Sequence, residues 1–263
     1  IHLYQYTGSS PIFRVLGRLR EIAFRAVGEG SGKRRDIDKY DMDYQHLVLW
    51  DPTQLELVGA YRLACAKEII DKHGRKGLYT DSLFTYSTEM GPYLEQGIEL
   101  GRSFVQPKYW GRKSLDYLWY GIGAFVKNYP QYRYLFGAVS VSNTLPDPAK
   151  AMLVYYYQHY YKTDEVLATP NNEFKLSEHE LAQCDMIFCK NDVKEDFVEL
   201  KHVLANMGAQ VPTLFKQYTE LCKPGGVKFL SFSVDPDFNN CIDGLVLVDL
   251  QNVKDNKAKR YLS

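Results

Sequence analysis

From residue 12 to 27 the apolar positions recur at helical period. Ile12, Phe13, Val15, Leu16, Leu19, Ile22, Ala23 and Phe24 line one face, with Arg14, Arg18, Arg20 and Arg25 around it. Gly28-Glu29-Gly30-Ser31-Gly32 follows, and glycine tolerates the backbone angles that end a helix. A charged loop, 33–41, comes next. The pattern then turns to strand type. Residues 46–50 and 55–64 flank the turn Asp51-Pro52-Thr53, which predicts an antiparallel hairpin. Residues 83–86 read as a short extended piece, 98–105 as a strand, 112–127 as a helix and 134–141 as another strand. Strand, helix and strand in that order predict a parallel crossover. Residues 147–161 read as a helix with Pro148 near its start, and 162–210 are polar with weak helical patterning. Residues 211–221 open with Pro212 and read as a helix that Pro224-Gly225-Gly226 stops. Late strands are expected at 227–234 and 242–250. No repeat or low-complexity linker divides the pattern. The expectation is one α/β domain over 1–263, with a helical insertion at about 147–210.

Composition narrows the classes of function. Lys plus Arg and Asp plus Glu are both 32, so the net charge is zero, and a nucleic-acid partner is not expected. Any anion site must then be local. The five cysteines are odd in number and irregularly spaced, which predicts reduced thiols in the cytoplasm. Cys184 and Cys189 lack a second pair that would complete a zinc site, so no structural metal is expected. No run of eighteen apolar residues is present, and no stretch has the make-up of a secretory signal. Tyrosine is frequent, with 21 copies against 13 Phe, and its apolar body with a polar tip suits half-wet clefts as well as cores.

Three segments can carry chemistry. The first is the turn Gln106-Pro107-Lys108-Tyr109-Trp110-Gly111-Arg112-Lys113-Ser114 between a strand and an apolar helix. Gly111 at a helix mouth lets a phosphate approach free backbone N–H groups, and Arg112 and Lys113 add positive charge. The phosphate would be that of coenzyme A or of a phosphopantetheine arm. The second is Glu99 and Arg102 on the apolar strand 98–105, since charge on a buried strand is costly unless paired or used. Their positions have opposite parity, so a regular strand points them to opposite faces unless a bulge intervenes. Spacing alone leaves two readings open: an active site, or internal ion pairs with Arg62 as a partner. The third is Asp36, Asp38, Asp41 and Asp43 with His46 behind them. The glycine and terminal Glu of a calcium loop are missing, so the default is a solvated loop, and the sharper alternative is an amine site.

At this point an ordered set of segments resembles a known superfamily. Gly17-Arg18-Leu19-Arg20 with Phe24, Asp36-Ile37-Asp38 with Tyr40-Asp41, His46-Leu47-Val48 and Val58-Gly59-Ala60-Tyr61-Arg62-Leu63 come first. Glu99-Leu100-Gly101-Arg102, Gly137-Ala138-Val139-Ser140, Val211-Pro212-Thr213-Leu214, Asp235-Pro236-Asp237-Phe238 and Ile242-Asp243 follow. Together they resemble the GNAT acyltransferases, in their branch of hemolysin-like proteins and ornithine- or glycine-lipid N-acyltransferases. The set is also similar to acyl-homoserine lactone synthases, whose acidic and basic positions correspond to Asp41, Arg62, Glu99 and Arg102. The longer second half departs from those synthases, so their methionine-derived substrate is not carried over.

The resemblance implies a mixed, mostly antiparallel central sheet flanked by helices. It also implies aminolysis of an acyl thioester with no tightly bound cofactor. The donor would be a 3-hydroxyacyl chain on acyl carrier protein, and the acceptor a small amino acid such as ornithine or glycine. Glu99 would be the base, Arg102 and Arg62 would position carboxylate or carrier groups, and Asp41 would hold the amine. A backbone N–H near Phe104 or Val105 would stabilise the oxyanion. Gly111, Arg112, Lys113 and Ser114 would hold the phosphopantetheine phosphate. That turn has less glycine than is usual in the family, which favours a carrier protein over coenzyme A. Peripheral membrane contact and a partner O-acyltransferase would fit an aminolipid product. Two other readings compete: an acetyl-CoA-dependent N-acetyltransferase of small molecules, and a membrane-active hemolysin without enzymatic activity.

Overall fold

The computed structural model describes residues 1–8 and 10–262. In chain order the elements begin with β1 (His2–Gln5), α1 (Pro11–Arg25), β2 (Gln45–Asp51), β3 (Glu56–Cys65) and α2 (Ala66–His73). β4 (Phe84–Tyr86), α3 (Gly91–Glu95), β5 (Gly97–Val105), α4 (Ser114–Asn128), β6 (Tyr134–Val141) and α5 (Asp147–Tyr161) follow. The rest are β7 (Ala168–Pro170), α6 (Glu178–Ile187), α7 (Val193–Asn206), α8 (Thr213–Thr219), β8 (Val227–Asp235), β9 (Cys241–Asp249) and α9 (Asp255–Tyr261).

The main sheet has the order β1-β2-β3-β5-β6-β9-β8. β5 and β6 pair in parallel, as the crossover through α4 requires, and the other neighbours pair antiparallel. The sheet is therefore mixed and mostly antiparallel, flanked by helices. α4 and α5 cover one face over Leu63, Ile98, Leu100 and Val139. α1 and α2 cover the other, over Ala60, Ala64, Phe104 and Phe136. The alternation between the two cores is the period-2 rule of a strand buried on both sides.

Two regions depart from expectation. The span 147–210 is not purely helical, because β7 within it pairs with β4 to form a small second sheet. The charged loop is not a solvated one either. Asp36 and Asp41 are buried, and Asp38 caps a short 3-10 turn, Lys39–Met42. Short terminal elements such as β1 and α9, and the exposed helix α2, had too few periodic apolar positions to stand out in the sequence.

The feature that creates a site is the parting of β5 from β6. Their pairing runs only through Gly97, Ile98 and Glu99. Gly137 sits where the strands begin to diverge, and a Cβ there would lie 2.0 Å from the Leu100 carbonyl oxygen. Only glycine lets β6 pass that close. Beyond it, β5 continues with β3 on one side and open space on the other.

Candidate active site

A second irregularity of β5 decides where its charges point. Ala60 and Arg62 on β3 are two apart, but their partners Phe104 and Gly101 on β5 are three apart. The extra residue is a β-bulge, and Arg102 there adopts a left-handed backbone, φ 48°. The bulge undoes the parity that separates Glu99 from Arg102. Both side chains, with that of Arg62, lie on the α1 side of the sheet.

There the acids of the 36–41 loop meet three arginines. Arg20 binds Asp36 at 2.8 Å and Asp41 at 2.7 Å. Arg62 binds Asp38 at 2.7 Å and Asp41 at 3.1 Å. Arg102 lies 3.4 Å from Asp36 and 3.5 Å from Asp38. Burial would raise the Asp41 carboxyl, but Arg62 and Arg20 outweigh it and hold the group well below the usual carboxylate range. His46 contacts the Asp41 carbonyl at 3.2 Å, and burial pushes its pKa down to about 4. Asp41 is fully buried with both oxygens on arginines, so no face of it is open to an incoming amine.

Glu99 is 1% exposed and joins a different set of partners. It accepts from Thr80 N at 2.7 Å, Thr80 Oγ1 at 2.6 Å, Tyr79 N at 3.3 Å and the Tyr44 hydroxyl. Burial raises its pKa against those hydrogen bonds. Glu99 thus ties the segment that carries Tyr79 to the sheet. The Tyr79 ring stacks on Arg102 at 4.6 Å and on Arg62 at 5.2 Å, and its hydroxyl donates to Asp235 at 2.7 Å.

The cleft itself has two adjoining compartments. The larger, about 770 Å³, is mostly apolar, with Ala23, Phe24, Phe104, Val105, Leu115 and Leu214 in its walls. Gly111, Arg112 and Ser114 also line it, whereas Lys113 does not. Gly111 has a left-handed φ of 74°, and among the described residues no side chain caps the first turn of α4, which leaves its N–H groups open toward an anion. Arg112 lies over the Tyr109 ring at 5.3 Å. The smaller compartment, about 380 Å³, fills the gap between β5 and β6 and is polar at its base, with Arg102, Ser140, Asp243 and Tyr79. Phe24, Glu29, Ser103, Gln210 and Leu214 belong to both. Both volumes fall in the range of small-molecule sites.

Of the residues expected from sequence, Phe104, Val105, Gly111, Arg112 and Ser114 share the large compartment, and Arg102 lines the small one. Glu99, Arg62, Asp41 and Lys113 line neither. The structure adds Glu29 and Asp243, which line the small compartment. Burial, then the charge of Asp243, raises Glu29 to about 8. Burial, then Asp235, raises Asp243 to about 7, against a 2.6 Å hydrogen bond from Ser140. The rule that drew attention to Glu99, an acid on a buried apolar strand, applies equally to Asp243 within Ile242–Leu250. Glu29 was hidden by its glycine neighbours, which read as a helix stop.

Comparisons with known proteins say what the chain is similar to. Residues 19–120 match the family model described as an acetyltransferase (GNAT) domain. A glycine N(alpha)-acyltransferase of Phocaeicola vulgatus is 30% identical over 100% of this chain and 83% of its own length. An L-ornithine N(alpha)-acyltransferase of Brucella abortus is 27% identical over 56% of each chain. Among solved structures, a CoA-dependent acyl-homoserine lactone synthase, MesI, superposes with a TM-score of 0.38 and 9% identity over 88% of this chain and 73% of that one, too loosely to argue from. On the full-length match, this chain is an N-acyltransferase and belongs to the family of the glycine N(alpha)-acyltransferases.

Proposed function

We propose that the chain transfers a long acyl group from a phosphopantetheine thioester to the α-amine of a small amino acid, with glycine as the first candidate and ornithine as the second. The observation that carries this reading is the pairing of compartments. A roomy apolar one meets a small charged one at Ser103 and Glu29, where the two reactants would have to touch. The acyl-pantetheine arm would lie along Phe104 and Val105. Its phosphate would rest on the first turn of α4 with Gly111, Arg112 and Ser114, and Lys113 would add charge nearby. A backbone N–H of Phe104 or Val105 would stabilise the thioester oxyanion.

The acceptor would sit in the small compartment as a zwitterion. Its carboxylate would meet Arg102, which lines that compartment. Its ammonium would face the acidic wall. Arg62 and Asp41 would act by holding Arg102 and its loop in place, and Glu99 by holding Tyr79 against Arg102. The large apolar volume favours a long chain over acetyl, and the glycine-poor phosphate turn favours a carrier protein over coenzyme A. An N-acyl amino acid would be amphipathic, which fits aminolipid synthesis at a membrane surface, with an O-acyltransferase acting next.

The test is direct. The purified chain is given 3-hydroxyacyl and acetyl thioesters, on carrier protein or coenzyme A, with glycine or ornithine. Mass spectrometry should find the N-acyl amino acid, formed fastest from the long-chain carrier-protein thioester. Turnover of acetyl-CoA alone would favour the acetyltransferase reading, and no amide from any pair would end both. Gly101→Leu belongs in the same assay. A Cβ at Gly101 meets nothing within 4 Å and lines the small compartment. The leucine should raise the acceptor KM about tenfold or more, roughly 1.4 kcal/mol, and leave the donor KM unchanged. An unchanged acceptor KM would remove this compartment from acceptor binding.

A further inference from the structure

Glu29 is held where the two compartments join, by contacts from three directions. Its own backbone N–H bonds the Phe24 carbonyl at 2.9 Å, which folds the loop back on α1. Ser31 donates to Glu21 through N at 3.2 Å and Oγ at 2.9 Å. Ser142 and Asn239 donate to the Gly28 carbonyl at 3.2 and 2.8 Å. Gly28 is packed so closely on Thr144 that a Cβ would come within 2.5 Å. All this fixes the loop, yet the Glu29 carboxylate itself accepts no hydrogen bond from any described residue. A half-buried acid on a pinned loop with its oxygens unused is unlike Glu99 and Asp41, whose oxygens are all engaged.

Resting on the functional reading above, we infer that Glu29 is the general base of the transfer, working against Asp243 across the small compartment. The groups facing Glu29 fit this role. Arg102 comes from β5 and Asp243 and Cys241 from β9, Arg112 lies across the large compartment, and Glu21 of α1 lies beside the next residue, Gly30. The segment 210–214 contributes no charge. Arg102 is thus the nearby cation for two carboxyl groups, and without substrate the two carboxyls repel and retain protons between them. An acceptor ammonium arriving beside Arg102 brings the missing positive charge.

Glu29 then takes one proton from that ammonium. The freed lone pair forms the N–C bond at the thioester carbonyl, and the carbonyl electrons move to oxygen. The C–S bond breaks as the carbonyl re-forms, and the thiolate leaves with its electron pair. The nitrogen's second proton neutralises the thiolate, which gives amide and thiol. Glu29 releases its proton to water, so one proton is liberated per turnover.

The experiment is a pH profile of acceptor kcat/KM for the intact chain and three variants. The wild type should rise with pH and bend near pH 8, the raised pKa of Glu29. Glu29→Gln should lose about 100-fold or more in kcat, keep its donor KM, melt no lower than the wild type, and lack the bend. Glu29→Asp should recover part of the rate with the bend restored. Asp243→Asn removes a charge that raises Glu29, so its bend should move to lower pH. An undiminished kcat in Glu29→Gln, or a bend unmoved in both Glu29→Gln and Asp243→Asn, overturns the assignment. If the wild type forms N-acyl amino acid while Glu29→Gln is unimpaired, only the base is wrong. If the wild type forms none, the functional reading and this inference fall together.

Discussion

Two charged clusters share the α1 face of the sheet, and they differ in how their charges are used. In one, Arg20 and Arg62 close on Asp36, Asp38 and Asp41, every acid is paired, and Asp41 is driven below the normal carboxylate range. In the other, Glu29 and Asp243 are driven upward, with Arg102 as their neighbouring cation and a cavity between them. Arg102 belongs to both. The first cluster lines neither compartment, its acids are held in ion pairs, and those pairs set the position of the 36–41 loop. The second is left short of partners where a ligand can enter. Opposite pKa directions within one patch separate architecture from chemistry better than the presence of charge does.

The sharpest way to break the comparison is to unpair the saturated cluster. Asp41→Ala leaves Arg20 and Arg62 buried without a shared counter-ion, and breaking a buried pair costs about 3–5 kcal/mol. Chemical denaturation should show that loss. A change near zero would mean that water or a rearranged loop replaces the carboxylate, and the cluster would no longer count as saturated architecture.

Glu99→Gln is the next strongest test, because it asks to which side Glu99 belongs. Glutamine cannot accept from all of Thr80, Tyr79 and Tyr44, and an unsatisfied buried group costs about 1–3 kcal/mol. Turnover should fall as Tyr79 loosens against Arg102, but the acceptor pH profile should keep its bend. Loss of the bend in this variant would make Glu99 the titrating base and return it to the role that its strand position suggested.

The contrast between Glu99 and Asp243 shows what the sequence could and could not carry. Strand and helix identities along 98–161 were legible, because period-2 and period-3.6 apolar patterns are local. The turn from Trp110 to Ser114 was legible for the same reason, as glycine and basic residues at a helix mouth. What periodicity cannot encode is the bulge at Arg102. It depends on the register between β3 and β5, and it alone decides that Glu99 and Arg102 share a face. Nor could spacing separate Glu99 from Asp243, both acids on apolar strands, since their roles depend on which donors the distant loops deliver. Tyr44, Tyr79 and Thr80 reach Glu99 from elsewhere in the chain, whereas Asp243 gains one serine and a neighbouring acid.

The smallest expected effect is also the most specific. A carboxyl whose folded pKa is raised stabilises the fold only while it holds its proton. For Glu29 the unfolded value is near 4.5 and the folded value is about 8. Between those values the folded chain binds the extra proton, so the slope of stability against pH is negative. Its contribution is full below about pH 4.5 and is lost as pH climbs to 8. Glutamine carries no such term. Glu29→Gln should therefore match the wild type in melting temperature near pH 4.5 and exceed it by a few degrees at pH 8. Asp41→Asn should show the opposite sense, with its deficit present at neutral pH and shrinking only in acid, because its folded pKa is lowered. A melting difference for Glu29→Gln that stays flat across pH would place Glu29 with the saturated acids. The cost falls where both carboxyls are ionised, above about pH 8, and a carboxyl that bears it beside an open cavity is the one the proposed base requires.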